Sequence, residues 1–249
     1  MLKFLCITAH PDDEVGSFAG TLLQCAWRGI ETHVICLTDG QAATYRGGAK
    51  TGEELGRMRR EEFAHSCKLL KVTKAEVLGY PDSALDRVNL FDVVEVLTRK
   101  IREIRPQVIA TLGTEGGATG HPDHSMAAIF ATMAFHWAGR TNRYVEQLNR
   151  GLKPHRAQKL YDATYDFVLS NRQPVSLATS TAIIDVGDIL ETKIKAFAMH
   201  LSQRPLLPMF TEMIRKRGQV ERFHLAATST PRASGLESDL FEGVVDELS

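Results

Sequence analysis

Short apolar runs alternate with longer amphipathic stretches along the first 140 residues, and that alternation restricts the chain more than any other feature. Leu2 to Thr8, His33 to Thr38, Ala75 to Leu78 and Gln107 to Leu112 are short and rich in β-branched and aliphatic residues. Runs of this kind are predicted to be strands buried on both faces. Glu14 to Arg28, Glu53 to Leu70, Leu90 to Ile104 and Pro122 to Ala138 repeat at the helical period between and after them. A βαβα succession of this kind demands a mostly parallel sheet covered by helices on both faces, with ligands gathering where strand ends open into helices. Beyond residue 140 the pattern is less regular. Tyr161 to Leu169 and Ala182 to Val186 are predicted strands and Ile189 to Gln203 a helix, interrupted at Pro205 and Pro208. The expectation is one α/β domain over residues 1–249, with no internal repeat or linker.

Two strand ends carry the chemistry. Ala9-His10-Pro11-Asp12-Asp13-Glu14 follows the first apolar run, and His121-Pro122-Asp123-His124 follows the fourth run and a glycine-rich turn. In each, a histidine is followed by a proline suited to the first turn of a helix, so the next side chains stand at a helix N-terminus. Successive residues there point about 100° apart, which allows one of two adjacent aspartates to face a metal while the other faces water. Two imidazoles and one carboxylate leave a coordination position free, and a further carboxylate can take the proton from the water that fills it. Taken singly, each aspartate is also a common helix-capping residue; the pair of fragments at equivalent places is what argues for a site.

Other classes find little support. Thirty basic residues balance thirty acidic ones, so no global field draws the chain to nucleic acid or an anionic membrane. A small molecule is the expected partner, and self-association into a homo-oligomer is left open. The cysteines Cys6, Cys25, Cys36 and Cys67 are scattered, which suits a reduced, cytoplasmic chain without a thiolate zinc site. No secretory signal is read at the N-terminus, and no run approaches the roughly 20 apolar residues that cross a bilayer. Gly48-Ala49-Lys50-Thr51 lacks the glycines of a phosphate-binding loop, and the first strand lacks a Gly-x-Gly-x-x-Gly turn, so the Rossmann-like order does not imply a nucleotide. The long loop from Asp39 to Gly52, with Tyr45 and Arg46 near its middle, is expected to serve as a lid or substrate loop.

The two histidine fragments resemble the signature of the LmbE-like (PIG-L) zinc de-N-acetylases, the family that includes N-acetylglucosaminyl-phosphatidylinositol deacetylase and the mycothiol and bacillithiol deacetylases. Weaker echoes run to about residue 223: Leu37-Thr38-Asp39-Gly40, Arg59 with Glu62, Gly79-Tyr80-Pro81-Asp82, Lys195 with His200, Ser202 and Gln203, and Glu221 with Phe223. The resemblance implies that His10, Asp13 and His124 bind one zinc ion, for which ferrous iron or cobalt is an admissible substitute. It also implies that Asp12 is the general base, that His121 steadies the oxyanion with Asp123 beside it to orient it, and that Arg59 and Asp82 grip sugar hydroxyls. Lys195 and His200 read as structural. Some relatives place a tyrosine where this chain has Thr119, and Tyr45 is one candidate to replace it. The activity implied is removal of an N-acetyl group from an N-acetylglucosamine-type sugar or conjugate. The alternatives are amidase action on a larger sugar-thiol conjugate and a catalytically silent, metal-stabilised binding protein.

Overall fold

A computed structural model of the chain describes residues 1–168, 175–230 and 235–246. The four predicted strand–helix pairs form as β1 (Lys3–Thr8), α1 (Asp13–Trp27), β2 (Glu31–Thr38), α2 (Gly52–Leu69), β3 (Lys74–Tyr80), α3 (Leu90–Ile104), β4 (Val108–Thr111) and α4 (Pro122–Ala138). Local chemistry accounts for where the helices start. The Thr51 side chain caps α2 by accepting from Glu54 N at 3.1 Å, Asn89 caps α3, and Pro122 occupies the first turn of α4. β1, β2 and β4 are buried nearly throughout, from Phe4 to Thr8, Thr32 to Thr38 and Val108 to Thr111, whereas β3, expected to be buried on both faces, is an edge strand with no fully buried residue. Each large apolar side chain buried in the first three contributes about 1.5–3 kcal/mol relative to exposure.

Among the described residues the sheet has seven strands in the order β3-β2-β1-β4-β5-β7-β6. β5 (Lys159–Thr164) continues the parallel set beside β4, and β6 is Ala182–Asp185. β7 (Val220–Thr228) runs antiparallel to both β5 and β6. One face is covered by α1 and α2 with α6 (Leu190–Ala198), which packs on both, and the other by the α3–α4 pair. The chain builds outwards from β1 to β3 and then returns to β4 on the other side of β1. β1 and β4 therefore flank the switch point of the sheet, the place where a parallel sheet opens a crevice at its carboxyl edge. Both histidine fragments follow these two strands.

The later part of the chain departs from expectation in several places. β7 is not announced by the sequence, because Val-Glu-Arg-Phe-His breaks the apolar–polar alternation of a strand and carries two charges side by side; its pairing with β5 and β6 makes it one. The single helix expected over Ile189 to Gln203 is divided: α6 ends at Ala198, a 3-10 segment spans Leu201–Leu206, and α7 (Leu207–Arg217) follows. Pro208 sits in the first turn of α7, where its missing N–H costs nothing. The strand expected from Tyr161 ends at Thr164, and the Leu169 end of that run lies outside the described residues. Between α4 and β5 stands a short helix, α5 (Val145–Asn149), that the sequence pattern does not announce. The segment 235–246 is tied down by the buried Lys159, whose Nζ lies 2.7 Å from Glu237 Oε1.

Candidate metal centre and catalytic cluster

Asp13 closes the turn between β1 and α1. Its Oδ2 accepts from Ala9 N at 3.1 Å and His10 N at 2.8 Å, which leaves Oδ1 facing His124 Nε2 at 3.1 Å. Burial opposes the charged form, but His124, His10 and the backbone donor hold this carboxyl well below the usual carboxylate range. His10 stands at the switch point with Nδ1 at 3.6 Å from Asp13 Oδ2 and Nε2 on two carboxylates, Asp82 Oδ1 at 3.1 Å and Asp123 Oδ2 at 3.2 Å. Burial disfavours its charge as well, yet Asp123, Asp82 and Asp13 together raise its pKa to about 10. Asp123 is fixed in turn by Ser83 N at 2.7 Å and Leu85 N at 3.1 Å, and Asp82 by Ala42 N at 2.9 Å.

Three imidazoles meet here. One ring nitrogen from each of His10, His121 and His124 falls in a group within 4.8 Å of one another, as does a second group of His10, Asp82 and Asp123. The expected set of His10, Asp13 and His124 is held together through Asp13, which lies against both rings. Hydrogen-bond partners fix which nitrogen of each ring carries the proton. His10 Nε2 points at carboxylates and so donates, leaving Nδ1 as a lone pair once the ring is neutral. His124 Nδ1 donates to Gly116 O at 3.1 Å, leaving Nε2, which faces Asp13, as a lone pair once the ring is neutral. His121 is the reverse case: its Nδ1 accepts from Asp123 N at 3.1 Å, capping α4, so the ring presents Nε2–H. Burial first, then the charges of His10 and His124, push its pKa down. The geometry offers His121 as a donor through Nε2.

Asp12 lies beside this group with its side chain 21% exposed and its Oδ2 at 3.0 Å from Arg59 Nη2. Burial and Asp13 raise its pKa and Arg59 opposes them, leaving it at about 6. Arg59 is only 3% exposed. Its guanidinium also donates to Gly40 O at 3.1 Å and to Pro11 O. Gly40 is needed for that passage, because a Cβ there would fall 2.1 Å from Arg59 Nη1. Asp82 is 9% exposed and its carboxylate is spent on His10 and Ala42. The structure thus brings all seven predicted site residues to one crevice, with Arg59 and Asp82 turned onto Asp12 and His10. Lys195 is exposed on α6, whereas His200 is fully buried with Nε2 at 2.7 Å from Glu14 Oε1.

The loop after β2 is strapped to the C-terminal part: Gln203 Nε2 donates to Tyr45 O at 3.1 Å, and Glu62 accepts from Ser202 N and Oγ, both at 2.7 Å. Tyr45 is 40% exposed. A different phenol, absent from the sequence reading, stands at the site. Tyr165 follows β5 and its hydroxyl is 2.5 Å from Ser17 Oγ. A Cβ added to Gly117 would lie 3.4 Å from Tyr165 Cε2 and 3.7 Å from His124 Nδ1. Burial pushes the phenol up to about 12. Its place at the end of a parallel strand was the available signal. A cleft lined by Ser17, Tyr165, Phe167, Met213, Arg217 and Arg222 opens beyond it.

The molecule's relatives bear on this arrangement. The chain is 30% identical over 203 residues to diacetylchitobiose deacetylase of Thermococcus kodakarensis, which covers 82% of this chain and 70% of that one. It is 29% identical over 292 aligned positions to mycothiol S-conjugate amidase of Streptomyces coelicolor, covering 98% of each. The crystal structure of N,N'-diacetylchitobiose deacetylase from Pyrococcus horikoshii, in complex with an inhibitor, superposes with a TM-score of 0.73 at 26% identity, over 90% of this chain and 83% of that one. The profile of the PIG-L family, described as GlcNAc-PI de-N-acetylase, matches residues 5–135, a span that includes both histidine fragments and the strands that present them. The chain belongs to the PIG-L, or LmbE-like, de-N-acetylase family.

Proposed function

We propose that the protein is a metal-dependent hydrolase that removes the N-acetyl group from an N-acetylated amino sugar or sugar conjugate. The observation that carries this reading is the division of labour among three adjacent histidines: His10 and His124 offer lone pairs on either side of Asp13, and His121 offers an N–H. His10, Asp13 and His124 would hold one divalent ion. Their two nitrogens and one oxygen fit zinc with a position left open, and His10 has the carboxylate support on its other nitrogen that metal-binding histidines use. Ferrous iron or cobalt suits the same donors. When bound, such an ion supplies Lewis acidity to the amide carbonyl and to water.

The chain's own groups do the rest. Asp12 takes the proton of the attacking water and passes it to the departing amine; with a pKa of about 6 it is ionised at neutral pH and still basic enough to accept. His121 donates Nε2–H to the oxygen on which charge develops, and loss of one such donor costs other enzymes about 2.7–4 kcal/mol. Arg59 holds Asp12, and Asp82 with Asp123 holds His10, so these buried groups serve the reacting side chains more directly than they serve sugar hydroxyls.

The substrate is a small soluble molecule in this reading. Among the described residues no helix is long and apolar enough to cross a membrane. A cytoplasmic setting accords with four cysteines that stay free and buried. The test is a screen of N-acetylated sugars with metal-loaded protein, following primary amine and acetate together. Equimolar release of both is expected from at least one sugar. The full-length similarity to a mycothiol S-conjugate amidase favours a second reading, in which a sugar-thiol conjugate yields amine without acetate. Metal-replete protein that releases neither product across the panel, with a sugar-thiol conjugate included in it, would refute both.

A further inference from the structure

Asp12 occupies the N-cap position of α1, where an aspartate ordinarily takes an extended backbone and spends its carboxylate on the helix's free N–H groups. Here it does neither. Its φ is 113° and ψ −22°, and its side chain makes no cap bond. A non-glycine residue holds such a conformation only where its surroundings impose it.

The groups that impose it can be followed outwards. Asp12 O accepts from Val15 N at 3.0 Å and Gly16 N at 3.1 Å, fixing one side of the residue to α1. Asp12 N donates to Glu14 Oε2 at 2.8 Å. The other oxygen of that carboxylate, Oε1, accepts from Ser66 Oγ and from His200 Nε2, each at 2.7 Å. Glu14, Ser66 and His200 are all fully buried, so this is a rigid chain of bonds from α1 to α2 and to the turn after α6, and not a solvated ion pair. Arg59 adds a hold on Pro11 O and on Asp12 Oδ2.

We infer that Glu14, clamped by His200 and Ser66, is a positioning residue for Asp12: it satisfies the Asp12 N–H in the left-handed backbone and so keeps the carboxylate out of the cap and free for catalysis. This rests on the reading of Asp12 as the base. It gives the C-terminal part of the chain a share in catalysis, through a histidine 186 residues from Glu14 that touches no reacting atom.

Metal-loaded full-length His200→Phe, His200→Gln and Ser66→Ala are compared with wild type for kcat, KM, metal content and Tm. His200→Phe removes the donor to Glu14 and is expected to lower kcat by about 10-fold or more, as small misplacements of a reacting group do. KM and metal content stay at wild-type values, the signature of an interaction that matters only in the transition state. His200→Gln, whose amide can donate to Glu14, should recover most of kcat, and Ser66→Ala should fall between. A folded His200→Phe with wild-type kcat, or a loss that glutamine does not restore, overturns the inference. A second comparison stands independently of activity and of whether His200→Phe folds. Asp12→Gly and Asp12→Ala lose the same carboxylate, so the Tm of the glycine variant, higher by about 2 °C or more, reads the backbone strain. Equal Tm values would remove the premise. Wild-type turnover in Asp12→Asn would instead defeat the base assignment, and the inference with it, and leave the Tm comparison to judge the strained backbone alone.

Discussion

Replacing Asp82 with asparagine distinguishes a carboxylate that supports a metal ligand from one that grips a sugar. Asp82 Oδ1 lies 3.1 Å from His10 Nε2 and the side chain is 4% exposed, so the pair sits away from bulk screening. Asparagine keeps an oxygen that can accept the Nε2–H and removes only the charge. Loss of such outer partners generally weakens metal binding by about 10- to 100-fold, or roughly 1.4–2.7 kcal/mol. Asp123 Oδ2 remains at 3.2 Å from the same nitrogen, so Asp82→Asn should lie near the 10-fold end. Asp82→Asn with Asp123→Asn leaves His10 without any anion on that side, and its loss should exceed the sum of the single effects because the two share one donor. Competition against a chromophoric chelator at fixed pH measures the metal Kd, with Tm as a check on folding. Wild-type metal affinity in Asp82→Asn, accompanied by a raised KM for sugar, would refute the reasoning and restore Asp82 to substrate binding.

His124→Ala should remove most of a stoichiometry of one metal per chain, and full occupancy by elemental analysis would show the ligand set to be wrong. Asp12→Asn should retain the metal and lose turnover by about 10²- to 10⁴-fold. In wild type, kcat/KM should rise as pH increases through about 6, where Asp12 ionises, and a profile flat from pH 5 to 7 would contradict that role. His121→Ala should lower kcat with metal content unchanged; near-normal turnover would remove it from the oxyanion site. In metal-free protein the raised pKa of His10 contributes stability that is complete below about 6.5 and is lost as pH rises towards about 10. The carboxylates of Asp13, Asp82 and Asp123, all lowered, contribute above their ordinary range and lose that contribution in acid. Chelator-treated wild type should therefore lose Tm between pH 6.5 and 10, and His10→Gln should flatten that limb.

The strands and helices from β1 to α4 were legible because they are coded locally. Runs such as Phe-Leu-Cys-Ile-Thr are apolar on both faces, and residues such as Thr51, Asn89 and Pro122 mark helix starts through bonds to their own neighbours. The two histidine fragments were legible for the same reason: each is one strand end with one helix start. β7 was not, since a strand that carries the adjacent charges Glu221 and Arg222 depends on β5 and β6 to bury it.

The residue types at the site follow from the sequence, but their tasks depend on partners far along the chain. His10 and His121 share the His-Pro-Asp context, yet one turns a nitrogen to Asp82 and Asp123 while the other accepts the N–H of Asp123, and that difference separates a lone pair from a donor. Arg59 could have been a solvated helix charge; only the approach of Gly40 and Pro11 makes it a buried hold on Asp12. Tyr165 reaches the crevice because β5 ends at the same carboxyl edge as β1 and β4. A local sequence sets backbone geometry through neighbours a few residues away, whereas the protonation and orientation of a side chain are set by whichever groups the closed sheet brings within about 3 Å of it.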